Sequence, residues 1–353
     1  MSPNTEPGRA RASEGTRVVA IGGGTGLSTL LKGLKRYTLT ASDEAPSGPY
    51  ISDLTAVVTV SDDGGSSGRL RRELNMLPPG DVRNCIVALS QDESLLSRLF
   101  QYRFTGGGDL EGHSFGNLFL AALTAMTGDF AVAVKQASEI LATRGHILPA
   151  TSANVQLEAV MDDGSHVVGE TKINSTDKRI VELTMRPAHP EPLPQVLEAI
   201  AKADVITIGP GSLFTSLIPN LLVRGVADAI MRSSAMKVFI CNLMTEANES
   251  LHMTASDHIM AIYAHSTHGL FNYALVNSEP VSAETLERYA AEKAEPVVCD
   301  TGAVEALGLQ CITGNFIEEK EVVRHATGQI CAELMRLAQC TREETAGAHR
   351  GAR

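Results

Sequence analysis

The stretch Arg17-Val18-Val19-Ala20-Ile21-Gly22-Gly23-Gly24-Thr25-Gly26, followed by a helical segment over residues 27–36, decides how the chain is read. A short β-branched run, a glycine cluster and a helix form a strand–loop–helix unit. Glycines let the backbone turn sharply and lie close to a ligand. The free N–H groups and positive dipole end of the helix then face an anion. A tight βα turn with no ligand has the same pattern. Further glycine loops later in the chain favour a phosphate cradle. A dinucleotide fingerprint wants Gly-x-Gly-x-x-Gly. Here Gly22, Gly24 and Gly26 are spaced two and two, and position 27 is Leu. No Gly-Lys-Ser/Thr follows, so the loop is not a P-loop. The pattern suggests a nucleotide phosphate and argues against routine NAD or ATP use.

Working outward, residues 54–60 form a continuous apolar run, the kind buried on both faces of a parallel sheet. It ends in Ser61-Asp62-Asp63-Gly64-Gly65-Ser66-Ser67-Gly68-Arg69. Pro78-Pro79-Gly80-Asp81 opens a helix to residue 89, with Asp81 as its N-cap. Helices are expected over 94–102, 118–126 and 130–142, with Gly112-His113-Ser114-Phe115-Gly116-Asn117 leading into the second. From residue 147 apolar and polar residues alternate, and Asp163-Gly164 forms a turn. A β-hairpin insert is read over 147–187, with 167–173 as its returning strand and 180–185 as an added one. The parallel pattern resumes with a helix at 197–203, a strand at 205–208, the turn Gly209-Pro210-Gly211-Ser212, and strands at 237–242 and 273–277. Helices are expected at 252–265 and 327–339. Strand ends of an open parallel sheet line a ligand crevice, so the glycine loops, Asp62 to Arg69, Asn242 to Glu246 and Asn277 can share one rim.

The chain has 353 residues, 43% of them hydrophobic, and a net charge of −11. That length can hold one large α/β domain or two modest ones. The charge argues against a nucleic-acid partner, so phosphate binding must come from backbone N–H groups and a few arginines. Cys85, Cys241, Cys299, Cys311, Cys331 and Cys340 form no Cys-x-x-Cys pair and read as reduced core thiols of a cytoplasmic protein. Residues 1–16 have no apolar core and read as a disordered tail without a signal peptide. The chain from 341 to 353 reads as a second disordered tail. No run of about 18 apolar residues predicts membrane insertion.

Five motifs in order carry a family resemblance: Ile21-Gly22-Gly23-Gly24-Thr25-Gly26; Val60-Ser61-Asp62-Asp63-Gly64-Gly65-Ser66-Ser67-Gly68-Arg69; Pro79-Gly80-Asp81-Val82-Arg83-Asn84; Gly112-His113-Ser114-Phe115-Gly116-Asn117; and Ile208-Gly209-Pro210-Gly211-Ser212. Over about residues 16–340 the chain resembles the YvcK group of bacterial proteins, called putative gluconeogenesis factors, in the CofD-like superfamily. The resemblance implies a Rossmann-like, doubly wound, mostly parallel α/β domain spanning residues 17–340. It also implies a cytosolic regulator linked to cell shape and growth on gluconeogenic carbon sources, which binds UDP-sugars such as UDP-N-acetylglucosamine. The related CofD enzymes are 2-phospho-L-lactate transferases. A phosphotransferase of that kind is the first alternative, and an NAD-binding redox protein using the Gly22 to Gly26 loop is the second.

The candidate ligand-binding residues are Gly22, Gly23, Gly24, Thr25, Gly26, Asp62, Asp63, Arg69, His113, Asn117, Gly209, Gly211, Ser212, Asn242, Thr245, Tyr273 and Arg324; none is assigned a catalytic role. Asp62 and Asp63 are candidate Mg²⁺ ligands that would act together with substrate phosphates. They can equally hydrogen-bond a ribose or cap the next helix. Arg69 can reach a pyrophosphate as a two-pronged donor, or sit on a solvated face with Arg71 and Arg72. His113 can donate to phosphate or hold a loop. Asn117 can cap its helix or contact a base. Gly209 to Ser212 can form a second anion nest. Tyr273 can stack on a base or simply pack. In the family reading Tyr273 and Arg324 serve the sugar-nucleotide side. Thr327, at a helix start beside Arg324, is a candidate phosphorylation site for a regulatory kinase. A homo-oligomer is compatible with the sequence.

Overall fold

The computed structural model describes residues 15–39, 48–91 and 95–351. The expected N-terminal tail therefore lies, up to residue 14, outside the described residues. Seven parallel strands form the central sheet: β1 (Thr16–Gly22), β2 (Ile51–Val58), β3 (His146–Pro149) and, after an insert, β7 (Val205–Ile208), β8 (Met236–Ile240), β9 (Tyr273–Asn277) and β10 (Gln310–Gly314). The insert carries β4 (Gln156–Met161), β5 (His166–Val168) and β6 (Ile180–Arg186). The sheet order is β10-β9-β8-β7-β1-β2-β3. Successive strands therefore run outward from β1 in one direction and from β7 in the other. The strand order reverses between β1 and β7, which is where an open α/β sheet leaves a crevice at its carboxyl edge.

Burial follows from helices on both faces. All four residues of β7 are buried, as are the last five of β1 and of β2. Such strands need continuous β-branched runs, and the sequence supplies them. Helix α1 (Gly24–Leu34) places Leu27, Leu30, Leu31 and Leu34 on one buried face. It packs against the helix Gly80–Leu89 and the C-terminal helix, Thr327–Gly351. Gly33 allows that approach, because a Cβ there would lie 2.3 Å from the Thr327 methyl carbon and 2.6 Å from Cys331 Sγ.

Several boundaries differ from the sequence reading. Residues 147–149 belong to the central sheet, since Ile147 and Leu148 pair in parallel with Ala56 and Val57. The insert is a three-stranded antiparallel sheet, β5-β4-β6, with alternating burial along β4. The returning strand stops at Val168. Gly169 has φ of +100°, and residues 170–175 form a short helix, Glu170–Ser175. The C-terminal helix continues through residue 351, past the point where polar composition suggested a tail. Of the six free cysteines, only Cys85, Cys241 and Cys331 are buried; Cys299 and Cys311 are half-buried and Cys340 is exposed.

Among the described residues no single helix is long and apolar enough to cross a membrane. The bent pair Leu213–Leu222 and Val226–Arg232 has the composition but turns by 78°, and Leu213, Leu217, Ile218, Val226 and Ile230 are buried in the core.

Candidate functional site

A cleft of about 420 Å³ opens at the β1/β7 switch point. One wall is the cradle Gly23, Gly24, Thr25 and Gly26, which forms the first turn of α1. The facing wall is Pro210, Gly211 and Ser212 after β7, and residues 242–247 after β8 form the floor. A strap of Val322, Val323, Arg324 and His325, with Tyr289 behind it, closes the far side.

The two glycine loops require each other. A Cβ on Gly26 would lie 2.4 Å from Pro210 O and 2.9 Å from Gly211 N, so only glycine lets the walls approach this closely. Gly24 has φ of +62°, a left-handed turn that glycine adopts without strain. No side chain caps α1, and its first turn contains no acidic residue. Its leading N–H groups have no partner within the helix, so they and the dipole present partial positive charge to the cleft.

One of those donors is already used. The Asp81 carboxylate accepts the Gly24 N–H, and burial, with the Asp62 charge beside it, raises its pKa to about 6. Asp81 is not the N-cap expected from sequence. Pro79 occupies that position, the helix begins at Gly80, and Asp81 reaches across to α1. Glu170 lies in the same acidic surroundings. Burial and the charges of Asp62, Asp81, Asp63 and Glu246 push it up to about 9. Across the cleft, Ser212 Oγ donates to both oxygens of Glu246, at 2.8 and 3.0 Å. Glu249 Oε1 accepts the Phe214 and Thr215 N–H groups at 2.9 and 2.8 Å, and burial beside Glu246 drives its pKa well up.

The cleft gathers Gly23, Gly24, Thr25, Gly26, Gly211, Ser212, Asn242, Thr245 and Arg324 from the sequence candidates. Asn242 has a buried Oδ1 without a hydrogen-bond partner. Thr245 spends its hydroxyl on the Glu295 N–H at 3.0 Å, which fixes the floor. Arg324 is exposed on the strap strand Arg324–His325, which pairs with Ile317–Glu318.

Other candidates lie elsewhere. Gly22 is buried, and its carbonyl accepts from Thr59 N and from Asn220 Nδ2. Gly209, with φ of +90°, packs against the end of β8, where a Cβ would lie 2.5 Å from Ile240 O. Tyr273 begins β9 and so stands at the end of the sheet away from the cleft; it does not flank a base there. Asn277 holds loops, with Oδ1 accepting Phe316 N and Nδ2 donating to Glu279 O. Asp62, Asp63, Arg69, His113 and Asn117 are brought together beyond the cradle, on the β2 side. Ser66 Oγ sits 3.0 Å from His113 Nδ1 and accepts from Asn117 Nδ2 at 3.1 Å.

The paired-carboxylate reading of Asp62 and Asp63 fares differently for each. Asp62 Oδ1 accepts Gly64 N at 2.8 Å. Asp63 Oδ1 turns to the insert and accepts Thr171 N and Oγ1 at 2.8 and 2.6 Å. Among the described residues no three His, Cys, Asp or Glu side chains converge to hold a metal on their own. The donor set near the cradle, Asp62 with Asp81 and Glu170, fits Mg²⁺ only as a cation shared with ligand phosphates.

Sequence reasoning missed three residues that shape the site. Tyr289 Oη accepts the Val323 N–H at 3.0 Å and holds the strap. His325 donates from Nε2 to Cys241 O at 2.9 Å, and burial lowers its pKa to about 4, so it stays neutral at pH 7. Asn220 ties Gly22 O and Ser216 O together at 3.2 and 2.8 Å, locking the end of β1 to the turn after β7. No local pattern marks any of them; apart from Ser216, four residues before Asn220, their partners are distant in sequence.

Comparison with known proteins places this architecture in a family. The model of the family described as 2-phospho-L-lactate transferase CofD matches residues 18–317. The chain is 48% identical over 319 residues to a gluconeogenesis factor of Halalkalibacterium halodurans, covering 90% of this chain and 95% of that one. It is 46% identical over 322 residues to the gluconeogenesis factor of Bacillus subtilis, covering 91% and 98%. A crystal structure from Bacillus halodurans, described as a member of the UPF0052 family, superposes with a TM-score of 0.85 at 48% identity, covering 91% of this chain and 99% of that one. With a family match across most of its length and relatives this similar end to end, the chain belongs to the CofD-like family, among the proteins named gluconeogenesis factors.

Proposed function

We propose that the cleft binds a nucleotide sugar of the UDP-N-acetylglucosamine kind, and that the protein is a ligand-sensing regulator of growth on gluconeogenic carbon sources and of cell shape. The observation that carries this reading is the uncapped α1 N-terminus facing the Gly211-Ser212 loop across a cleft with an exposed arginine at its rim. Two backbone loops supply donors for a diphosphate. Arg324 supplies a charged fork on the strap side. Tyr289 and the strap give the far end partly apolar walls suited to a base or sugar. The names of the relatives accord with a role in gluconeogenesis.

A second reading, phosphotransfer of the CofD kind, is favoured by one observation: the acidic group of Asp62, Asp81 and Glu170 beside the cradle. When bound, a shared Mg²⁺ would neutralise phosphate charge there. A thermal-shift screen over UDP-N-acetylglucosamine, GTP, NAD and a deazaflavin, with and without Mg²⁺, separates the readings. A ligand that binds the native state raises stability by mass action. Stabilisation by the UDP-sugar without turnover supports the regulator. Stabilisation by GTP and deazaflavin together supports the transferase, and a shift with NAD alone supports the redox alternative. Thr327 is a proposed target of a regulatory kinase. Its hydroxyl donates to His325 O at 3.1 Å, one residue beyond Arg324 in the strap.

A further inference from the structure

Beyond the cradle, three guanidinium groups surround residues 112–117, the approach to and first turn of the helix Phe115–Thr127. Arg83 is 8% exposed, and its NH1 donates to Ser114 Oγ at 2.6 Å while NH2 donates to Asn84 Oδ1 at 2.7 Å. Arg103 NH1 donates to Gly112 O at 3.0 Å, and Arg69 NH2 donates to Glu111 O at 2.5 Å. All these acceptors are uncharged. Among the described residues none of the three arginines forms an ion pair with a carboxylate.

The placement is electrostatically costly for the protein alone. Gly116 has no Cβ where one would meet Arg83 Cγ and Cδ at 2.9 Å, so the arginine is laid directly on the first turn of the helix. That turn carries the positive end of the helix dipole. Arg103 adds a like charge near Arg83, and burial together with the Arg69 charge lowers the His113 pKa and favours its neutral ring. A buried charge without a partner is strongly unfavourable. One donor in this cluster is also orphaned, Arg83 Nε, on a side chain only 8% exposed; the orphaned Asn117 Oδ1 is an acceptor and is not served by an anion. Asp81 and Asp62 attract Arg83 through space but do not contact it as ion pairs.

We propose that Arg69, Arg83 and Arg103, with the N-terminus of the helix Phe115–Thr127, form a second anion site that takes a phosphate group, free or esterified, beside the nucleotide cleft. An anion there meets guanidinium donors and the positive end of a helix dipole; the Phe115 and Asn117 N–H groups are already given to Tyr102 O and Ser114 Oγ, so the arginines carry the site. It removes the like-charge conflict within the cluster. The site extends the nucleotide reading by giving the cleft a second position, yet it stands on its own contacts. A nucleotide sugar in the main cleft and a phosphorylated metabolite at the arginines can then be sensed, or joined, in one molecule.

The test titrates inorganic phosphate, and separately glycerol 3-phosphate, into the full-length chain by calorimetry, with UDP-N-acetylglucosamine already present at saturation. Parent protein is expected to bind at least one of the two probes. Arg103→Gln, at an exposed position, is expected to weaken that binding at least tenfold, and Arg83→Lys more, with the melting temperature checked for each. UDP-N-acetylglucosamine affinity should stay within twofold in Arg103→Gln. Absence of binding by both probes, or unchanged affinity in Arg103→Gln, overturns the proposal. An equal loss of nucleotide affinity in Arg103→Gln also overturns it, because the arginines would then serve the nucleotide itself. If the UDP-sugar does not bind at all, the same titrations are run without it; a phosphate response sensitive to Arg103 then leaves this site standing while the nucleotide reading falls.

Discussion

Asp81 gives the sharpest prediction, because one carboxylate links the cradle to folding. Its pKa is about 6 in the folded chain against 3.8 for the ordinary side chain, a rise of about two units. At about 1.4 kcal/mol per unit, ionised Asp81 costs the native state up to about 3 kcal/mol, an upper limit because the residue keeps some contact with solvent. The sign follows from proton binding. Between pH 4 and 6 the native state holds more protons than the unfolded state, so stability falls as pH rises through this window. Asp81→Asn removes the titration and leaves a side-chain oxygen to accept the Gly24 N–H. Urea unfolding of parent and variant at pH 4.5 and pH 8 measures the effect. The variant should gain on the parent as pH rises, by up to about 2 kcal/mol between those limits, because part of the unfolded-state titration already lies below pH 4.5. Groups remote from Asp81 contribute equally to both proteins and cancel in the difference, whereas Glu170, held up partly by the Asp81 charge, titrates lower in the variant. A parent–variant difference that does not change with pH would refute the reasoning. A diphosphate bound at Gly24 to Gly26 would raise the Asp81 pKa further, so binding near pH 7 should take up protons. Calorimetry in buffers of different ionisation enthalpy detects that uptake.

Further outcomes follow from individual contacts. Gly26→Ala forces a methyl within 2.4 Å of Pro210 O and should cost about 1–3 kcal/mol of stability while weakening UDP-sugar binding, read by thermal melting and titration. Arg324→Ala should leave stability nearly unchanged, since the side chain is exposed, and lower UDP-sugar affinity by about 1–3 kcal/mol. Asn220→Ala removes a buried amide that bridges Gly22 and Ser216. It should destabilise the fold by about 1–3 kcal/mol in urea unfolding, more than Arg324→Ala does. Thr327→Glu should weaken UDP-sugar binding more than Thr327→Ala in the same titration, because only the former places negative charge beside Arg324.

Much of the scaffold was legible because it is local. The strands 205–208 and 273–277 coincide with their apolar runs, since a strand covered on both faces must be continuously apolar. The strand-end rim followed from strand–glycine–helix order, and the structure places Gly23 to Gly26, Gly211, Ser212, Asn242 and Thr245 around one cleft. What the sequence hid depends on tertiary neighbours. Residues 147–149 look like the start of an alternating insert, yet their register with β2 makes them a core strand. The helix Glu170–Ser175 was read as strand because Val167, Val168 and Ile173 are apolar. The left-handed Gly169 and the Thr171 contacts to Asp63 turn the chain there. Asp81 resembled a cap because it follows Pro-Pro-Gly, but its partner is Gly24, far away in the chain. Tyr273 opens its strand, as read from the sequence, and the cleft lies at the opposite, carboxyl end of the sheet. Tyr289 and His325 have backbone partners set by the strap and the end of β8, which no spacing announces.

The central claim is that the backbone amides of the first loop hold a nucleotide diphosphate. Amide-resolved NMR of the labelled full-length chain, titrated with UDP-N-acetylglucosamine, tests it directly. The account predicts saturable, one-to-one shifts that are largest at Thr25, Gly26 and Gly211, the amides on the two facing walls. Saturable shifts centred elsewhere, with those three amides unmoved, or no response to the nucleotide sugar at all, would contradict it.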